Sequence, residues 1–114
     1  MKPSIVDHIA ILVDDLKKAE EWYIDNLNAV ISFRDAKYIR LKLANTNIAL
    51  IDKNHYKAAH FAILVEEYED LPRSTGITVN HRDGTVGVYV KDPFGNYLEY
   101  IWYSTEQREA FYHD

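Results

Sequence analysis

The sequence predicts an α+β fold in which two βαβββ modules form a curved mixed sheet with helices outside. Two observations carry this prediction. First, the chain repeats itself: residues 8–15 read His-Ile-Ala-Ile-Leu-Val-Asp-Asp and residues 60–67 read His-Phe-Ala-Ile-Leu-Val-Glu-Glu, identical at five of eight positions and conservative at the rest. Second, each copy opens the same order of elements. With 114 residues there is room for one domain and not two. The first module therefore spans residues 4–53, the second 59–103, and residues 104–114 form a tail.

Taking the elements in order, Ile5–Val13 is rich in β-branched residues and reads as a strand. Asp14 or Asp15 can cap the helix that follows over Lys17–Asn26. Leu16, Ala19, Tyr23 and Leu27 fall at spacings of three and four, which gives that helix one apolar stripe. Trp22 and Tyr23 are expected to pack it on the sheet, and Glu20, Glu21 and Asp25 to form its solvated face. Three short strands follow: Ala29–Phe33, Tyr38–Leu43 and Asn47–Ile51. Asp52–Ala59 is a linker. The second copy starts with strand His60–Val65 and a shorter helix around Tyr68–Leu71, ended by Pro72, Arg73 and Gly76. Ile77–Asn80, Val86–Lys91 and Tyr97–Tyr103 complete the module, and the tail starts as a helix. Neither module can bury a sheet face alone, so the two pack together, with a concave face where a ligand would sit.

Composition narrows the function classes. A net charge of −5 and a pI near 5.5 argue against nucleic acid or an anionic membrane as partner. There is no cysteine, hence no disulfide, no thiolate nucleophile and no thiolate metal site. Any metal must be held by nitrogen and oxygen. The first apolar run is broken by Asp7 and His8, too short for a membrane span and without a signal-peptide cleavage pattern. The expected setting is cytoplasmic and the expected partner a small molecule.

His8 and His60 hold the same place in the two repeats, so a pseudo-two-fold relation brings them to equivalent positions on the inner face. Strict alternation puts Val6, His8, Ala10 and Leu12 on one face of the first strand, and His60, Ala62 and Leu64 on one face of its counterpart. A single strand histidine is more often a packed residue than a ligand; the equivalence of the two favours the ligand. The third candidate comes from Asp92-Pro93-Phe94-Gly95-Asn96-Tyr97-Leu98-Glu99. Asp92 and Pro93 suit the start of a turn, Gly95 can take the positive φ that closes it, and Glu99 follows inside a strand with Tyr97, Ile101 and Tyr103 on its face. A buried carboxylate there is costly unless paired or coordinated. Two imidazoles and one carboxylate form a facial set that leaves about three coordination positions open, suited to Mn, Fe, Ni, Co or Zn as divalent ions. The open positions admit a substrate that chelates through two neighbouring oxygens. His55, His81 and His113 read as loop or tail histidines, and Asp92 as a turn residue.

These residues resemble the vicinal-oxygen-chelate superfamily, which includes glyoxalase I, bleomycin-binding proteins, extradiol dioxygenases, methylmalonyl-CoA epimerase and fosfomycin-resistance enzymes. The resemblance rests on the paired βαβββ modules, a histidine opening each, and Asp-Pro-x-Gly-x-x-x-Glu before the last strand, and covers residues 4–103. It implies metal ligation by His8, His60 and Glu99. Glyoxalase I carries a fourth ligand, a Glu, on the last strand of its first module, where this chain offers Ala49. In size and in its three-ligand pattern the chain looks more like the single-domain fosfomycin-resistance enzymes. That resemblance implies substrate contacts for Tyr89 and Arg108, and the tail Arg108–His113 looks like theirs. It departs from them at Ala10, where they carry a Thr, and in Val79–Val86, which lacks their polar Lys and Ser loop. Only Asp35 lies near the place of the Glu base of the related epoxide hydrolases.

The expected function is a divalent-metal-dependent enzyme, a lyase, isomerase or group-transfer catalyst, acting on a small oxygen-rich substrate. The alternative is a metal-free binding protein of the bleomycin-resistance type that sequesters a small molecule; the negative charge and nine tyrosines fit it, and the ligand triad speaks against it. A homodimer is expected, with modules paired either within a chain or by exchange, the latter setting His8 of one chain beside His60 and Glu99 of the other.

Overall fold

The computed structural model describes residues 2–112; His113, placed above in the tail, lies outside them. The elements run β1 (Val6–Val13), α1 (Leu16–Leu27), β2 (Val30–Arg34), β3 (Tyr38–Lys42), β4 (Asn47–Asp52), β5 (His60–Val65), a single 3-10 turn (Tyr68–Asp70), β6 (Ile77–Asn80), β7 (Val86–Lys91), β8 (Tyr97–Trp102) and α2 (Thr105–Tyr112). All eight strands belong to one mixed sheet in the order β2-β3-β4-β1-β5-β8-β7-β6, so the fold is α+β with two βαβββ-like modules. Two compact units divide the described residues, 8–61 and 62–112 with 2–7.

Within His8–Phe61, β1 and β4 pair in parallel, which requires the crossover through α1, while β2–β3 and β3–β4 are antiparallel hairpins. Asp15 caps α1 by accepting from the Lys18 N–H at 3.0 Å. Asn28 ends it in the left-handed region at φ 54°, its N–H donating to the Ile24 carbonyl at 3.1 Å. The helix lies on β3 and β4. Leu16, Ala19 and Tyr23, three of the four stripe residues read from sequence, pack against Ala29, Ile39, Leu41 and Leu50, while the fourth, Leu27, ends the helix exposed. Leu41 and Leu50 are wholly buried, and each removes enough apolar surface from water to contribute about 1.5–3 kcal/mol. The opposite face of the same strands carries Ala10, Ala49 and Ile51 beside Tyr38 and Tyr56.

Two expectations for α1 need correction. Glu20 is buried, not solvated; it accepts a hydrogen bond from Arg34, whose side chain remains half exposed. The helix turns Glu20 toward the β2 end, where a guanidinium replaces the water the carboxylate gives up. Trp22 is largely exposed, its ring meeting that of Tyr23 edge-on at 5.0 Å.

In the other unit, β6–β7 and β7–β8 are antiparallel. One face buries Val65, Leu71 and Val88 against Tyr68, Tyr100 and Trp102. The other buries Ala62, Ile101 and Tyr103, with Leu64 packed alongside. The short helix expected at Tyr68–Leu71 is only a 3-10 turn, because Leu71 takes an extended backbone (ψ 131°) ahead of Pro72. Arg73 lies over the Tyr68 ring at 4.6 Å. No helix among the described residues is long and apolar enough to cross a membrane.

Candidate metal centre

Each candidate ligand owes its place to the period of two along its strand. On β1, His8 and Ala10 are both buried and share a face. Ala10 sits beside Ala49 of β4, and Ala49 opposite Arg40 of β3, so His8, Ala10, Ala49 and Arg40 line one face of that unit. Arg40 is 3% exposed, a buried cation that the sequence analysis does not single out. His60 opens β5 and is half-buried; its ring meets that of His8 edge-on, centroids 5.7 Å apart.

Glu99 is positioned from the turn before it. Asp92 Oδ1 accepts from the backbone N–H of Phe94 at 2.8 Å and of Asn96 at 2.9 Å, and its Oδ2 accepts from the Asn96 side-chain amide at 3.0 Å. Gly95 closes the turn at φ 90°, as its placement in the sequence required. The Asn96 side-chain amide first, then the Asn96, Phe94 and Gly95 N–H groups, hold the Asp92 carboxyl below its ordinary value against a small opposing effect of burial. The turn fixes the register of β8, with Glu99 opposite Tyr89 on β7 and the two side chains on one face. Glu99 is 1% exposed.

That face holds a residue the sequence analysis set aside. Ile77 and Val79 of β6 pair with Tyr89 and Gly87, and the same alternation carries His81 to the Glu99 side. The His81 Nε2 is hydrogen-bonded to Glu99 Oε2, and its ring stands edge-on to Tyr89 at 6.1 Å. A period of two from Ile77 reaches His81, but only the strand register, which sets Val79 opposite Gly87, brings it to Glu99. Nearby, Tyr103 donates its hydroxyl to the buried Asp7 carboxylate, at 2.9 Å to Oδ1 and 2.8 Å to Oδ2. Arg108 lies on α2, its backbone N–H bonded to the Ser104 carbonyl; its Nη2 is buried without a hydrogen-bond partner.

His8, His60 and Glu99 each offer one ligand atom, and the three atoms lie within 4.8 Å of one another in a single chain. Metal bonds to such ligands are about 2.0–2.2 Å long, so two donors to one ion lie no more than about 4.4 Å apart, and the three side chains would draw slightly together to hold one. Two imidazoles and a buried carboxylate suit a borderline divalent ion, and the triad could hold one.

No protein-family profile matches the sequence, and no curated protein is detectably similar to it. Solved structures are similar in fold. Methylmalonyl-CoA epimerase from Mycobacterium tuberculosis shares 16% identity over 89% of each chain, with a TM-score of 0.73. A glyoxalase/bleomycin resistance protein/dioxygenase superfamily member from Vibrio splendidus 12B01 shares 11% over 89% of this chain and 100% of its own, at 0.63. Homoprotocatechuate 2,3-dioxygenase from Brevibacterium fuscum, as an E323L mutant, shares 22% over 88% of this chain and 32% of its own, at 0.60. The chain therefore has the fold of glyoxalase/bleomycin-resistance/dioxygenase proteins.

Proposed function

We propose that this chain is a divalent-metal-dependent enzyme in which His8, His60 and Glu99 hold one ion (Mn, Fe, Ni, Co or Zn). Its substrate is a small molecule with two neighbouring oxygens, and its reaction a lyase, isomerase or group-transfer step. The convergence of the three ligand atoms carries this reading, and the fold it shares with an epimerase and a dioxygenase is consistent with it. When bound, such an ion supplies Lewis acidity to a chelated oxygen pair. The chain's own residues supply the rest. Tyr89 shares the Glu99 face and is the group we assign to hydrogen-bond a substrate oxygen. Arg108 is assigned to neutralise an anionic substrate group, since its buried Nη2 has a donor to offer. As in the single-domain fosfomycin-resistance pattern, these two would orient the substrate. We also propose that the chain works as a homodimer, with the triad complete in each copy.

The test is metal content by elemental mass spectrometry after stripping and reloading with each candidate ion. The wild-type chain should retain one ion, and Glu99→Gln and His60→Ala should lose it while staying folded. Full occupancy in His60→Ala, or no uptake by the wild type, would sink the reading and favour metal-free sequestration of a small molecule.

A further inference from the structure

We infer that His81 is the positioning residue for Glu99: it holds one carboxylate oxygen so that the other faces the two histidines. This rests on the metal reading above and extends it beyond the three ligands. An ionised carboxylate only accepts hydrogen bonds, so the His81 Nε2 must carry the proton and donate to Glu99 Oε2. Bound in this way, Glu99 loses the rotation about its terminal bond that would otherwise let either oxygen wander.

A second observation, independent of the hydrogen bond, shows that the backbone is shaped around this pair. Gly87 lies on the strand directly beneath it. A Cβ at Gly87 would collide with Glu99 Oε2 and would come within 2.7 Å of His81 Nε2. Gly87 has no positive φ to explain its presence; the space it leaves is filled by the carboxylate and the imidazole. A strand glycine is otherwise a loss, since it weakens the strand and packs nothing.

His81 is not a fourth ligand. Among the described residues, the cluster whose ligand atoms converge holds His8, His60 and Glu99 without it. It is fixed at the end of β6 by its own backbone, whose N–H donates to the Thr85 carbonyl at 2.9 Å and whose carbonyl accepts from the Gly84 N–H at 3.0 Å. The imidazole is thus anchored through a tight turn and reaches Glu99 from outside the ligand set. Partners of this kind orient a ligand and raise its basicity, and their loss typically costs about 10–100-fold in metal affinity.

The test is Co(II) binding by the full chain, read by competition with a chromophoric chelator and by visible absorption at saturation. His81→Ala should weaken Co(II) about 10–100-fold while its saturated spectrum keeps the wild-type band pattern, because the donor set is unchanged. His81→Gln, whose amide can donate from nearly the place of Nε2, should recover most of the affinity. Gly87→Ala should weaken binding as His81→Ala does, with His81 still present. Equal affinity of His81→Ala and wild type overturns the inference alone, as does an altered band pattern, which would make His81 a ligand. Failure of His81→Gln to recover any affinity also overturns it. A wild-type chain that binds no Co(II) overturns the metal reading together with this inference.

Discussion

On the last strand of the first module, β4, Ala49 lies buried against Ala10 and Ile51 with Tyr38 and Tyr56 beside them. On the last strand of the second, β8, Glu99 lies equally buried but hydrogen-bonded to His81. The two modules repeat one order of strands yet load corresponding faces differently. The first has a twelve-residue helix over its other face and fills the ligand-bearing side mostly with alanine and isoleucine, His8 and Arg40 excepted. The second replaces the helix by one 3-10 turn and sets a carboxylate, an imidazole and a tyrosine on one face. The lesson is a division of labour between the repeats: each supplies one histidine, the first packs a helix on its other face, and the second adds the carboxylate and its support.

The largest effect that separates the two roles is a core deletion. Leu50→Ala should destabilise the chain by about 2–5 kcal/mol, measured by urea unfolding, because Leu50 is wholly buried between β4 and α1. Co(II) affinity of the folded fraction should stay within about twofold, since distant sites are close to additive. A Leu50→Ala chain of wild-type stability, or one that loses metal without losing stability, would break the division.

The Glu20–Arg34 pair gives a smaller and asymmetric effect. Arg34→Met leaves Glu20 buried without its donor and should cost about 1–3 kcal/mol. Glu20→Gln leaves an Arg34 that is half exposed and can be hydrated, and should cost less, about 0.5–1.5 kcal/mol. Thermal unfolding of both variants checks the order. If Glu20→Gln proves the more damaging, the carboxylate does more in that module than answer Arg34.

How far the sequence revealed this arrangement follows from what periodicity can read. The strands were legible because alternation of apolar residues is strong, and β5, β6 and β7 fall on their expected spans. The α1 stripe was legible for the same reason at helical spacing. Periodicity reads apolar residues only, which is why Glu20 passed for a solvated residue. The ligand candidates were visible through the repeat, since His8 and His60 are its first residues. His81 was not, because it has no counterpart in the first copy and stands one residue past β6, at a turn whose sequence reads as a loop. Its donor role depends on a pairing across the sheet, Val79 with Gly87, that only a register supplies.

The smallest expected effect concerns the turn that delivers Glu99. The Asp92 carboxylate is held below its ordinary value of 3.8 by the Asn96 amide and three backbone N–H groups. A group whose folded value is depressed adds stability above its unfolded value and loses it as the pH falls through the folded one. The turn should therefore be intact at neutral pH and loosen only well into the acid range, below 3.8. Amide chemical shifts of Phe94, Gly95 and Asn96 should titrate together there, and in Asp92→Asn that titration should vanish. Because the hydrogen bonds of Asp92 stay local to an exposed turn, the change in global stability should be small. Its consequence for the second module is more specific: Asp92→Asn should leave Leu50-dependent stability untouched while slightly weakening metal affinity through the register of β8. A variant with an unmoved β8 register and unchanged affinity would show that pairing with β7 alone sets Glu99.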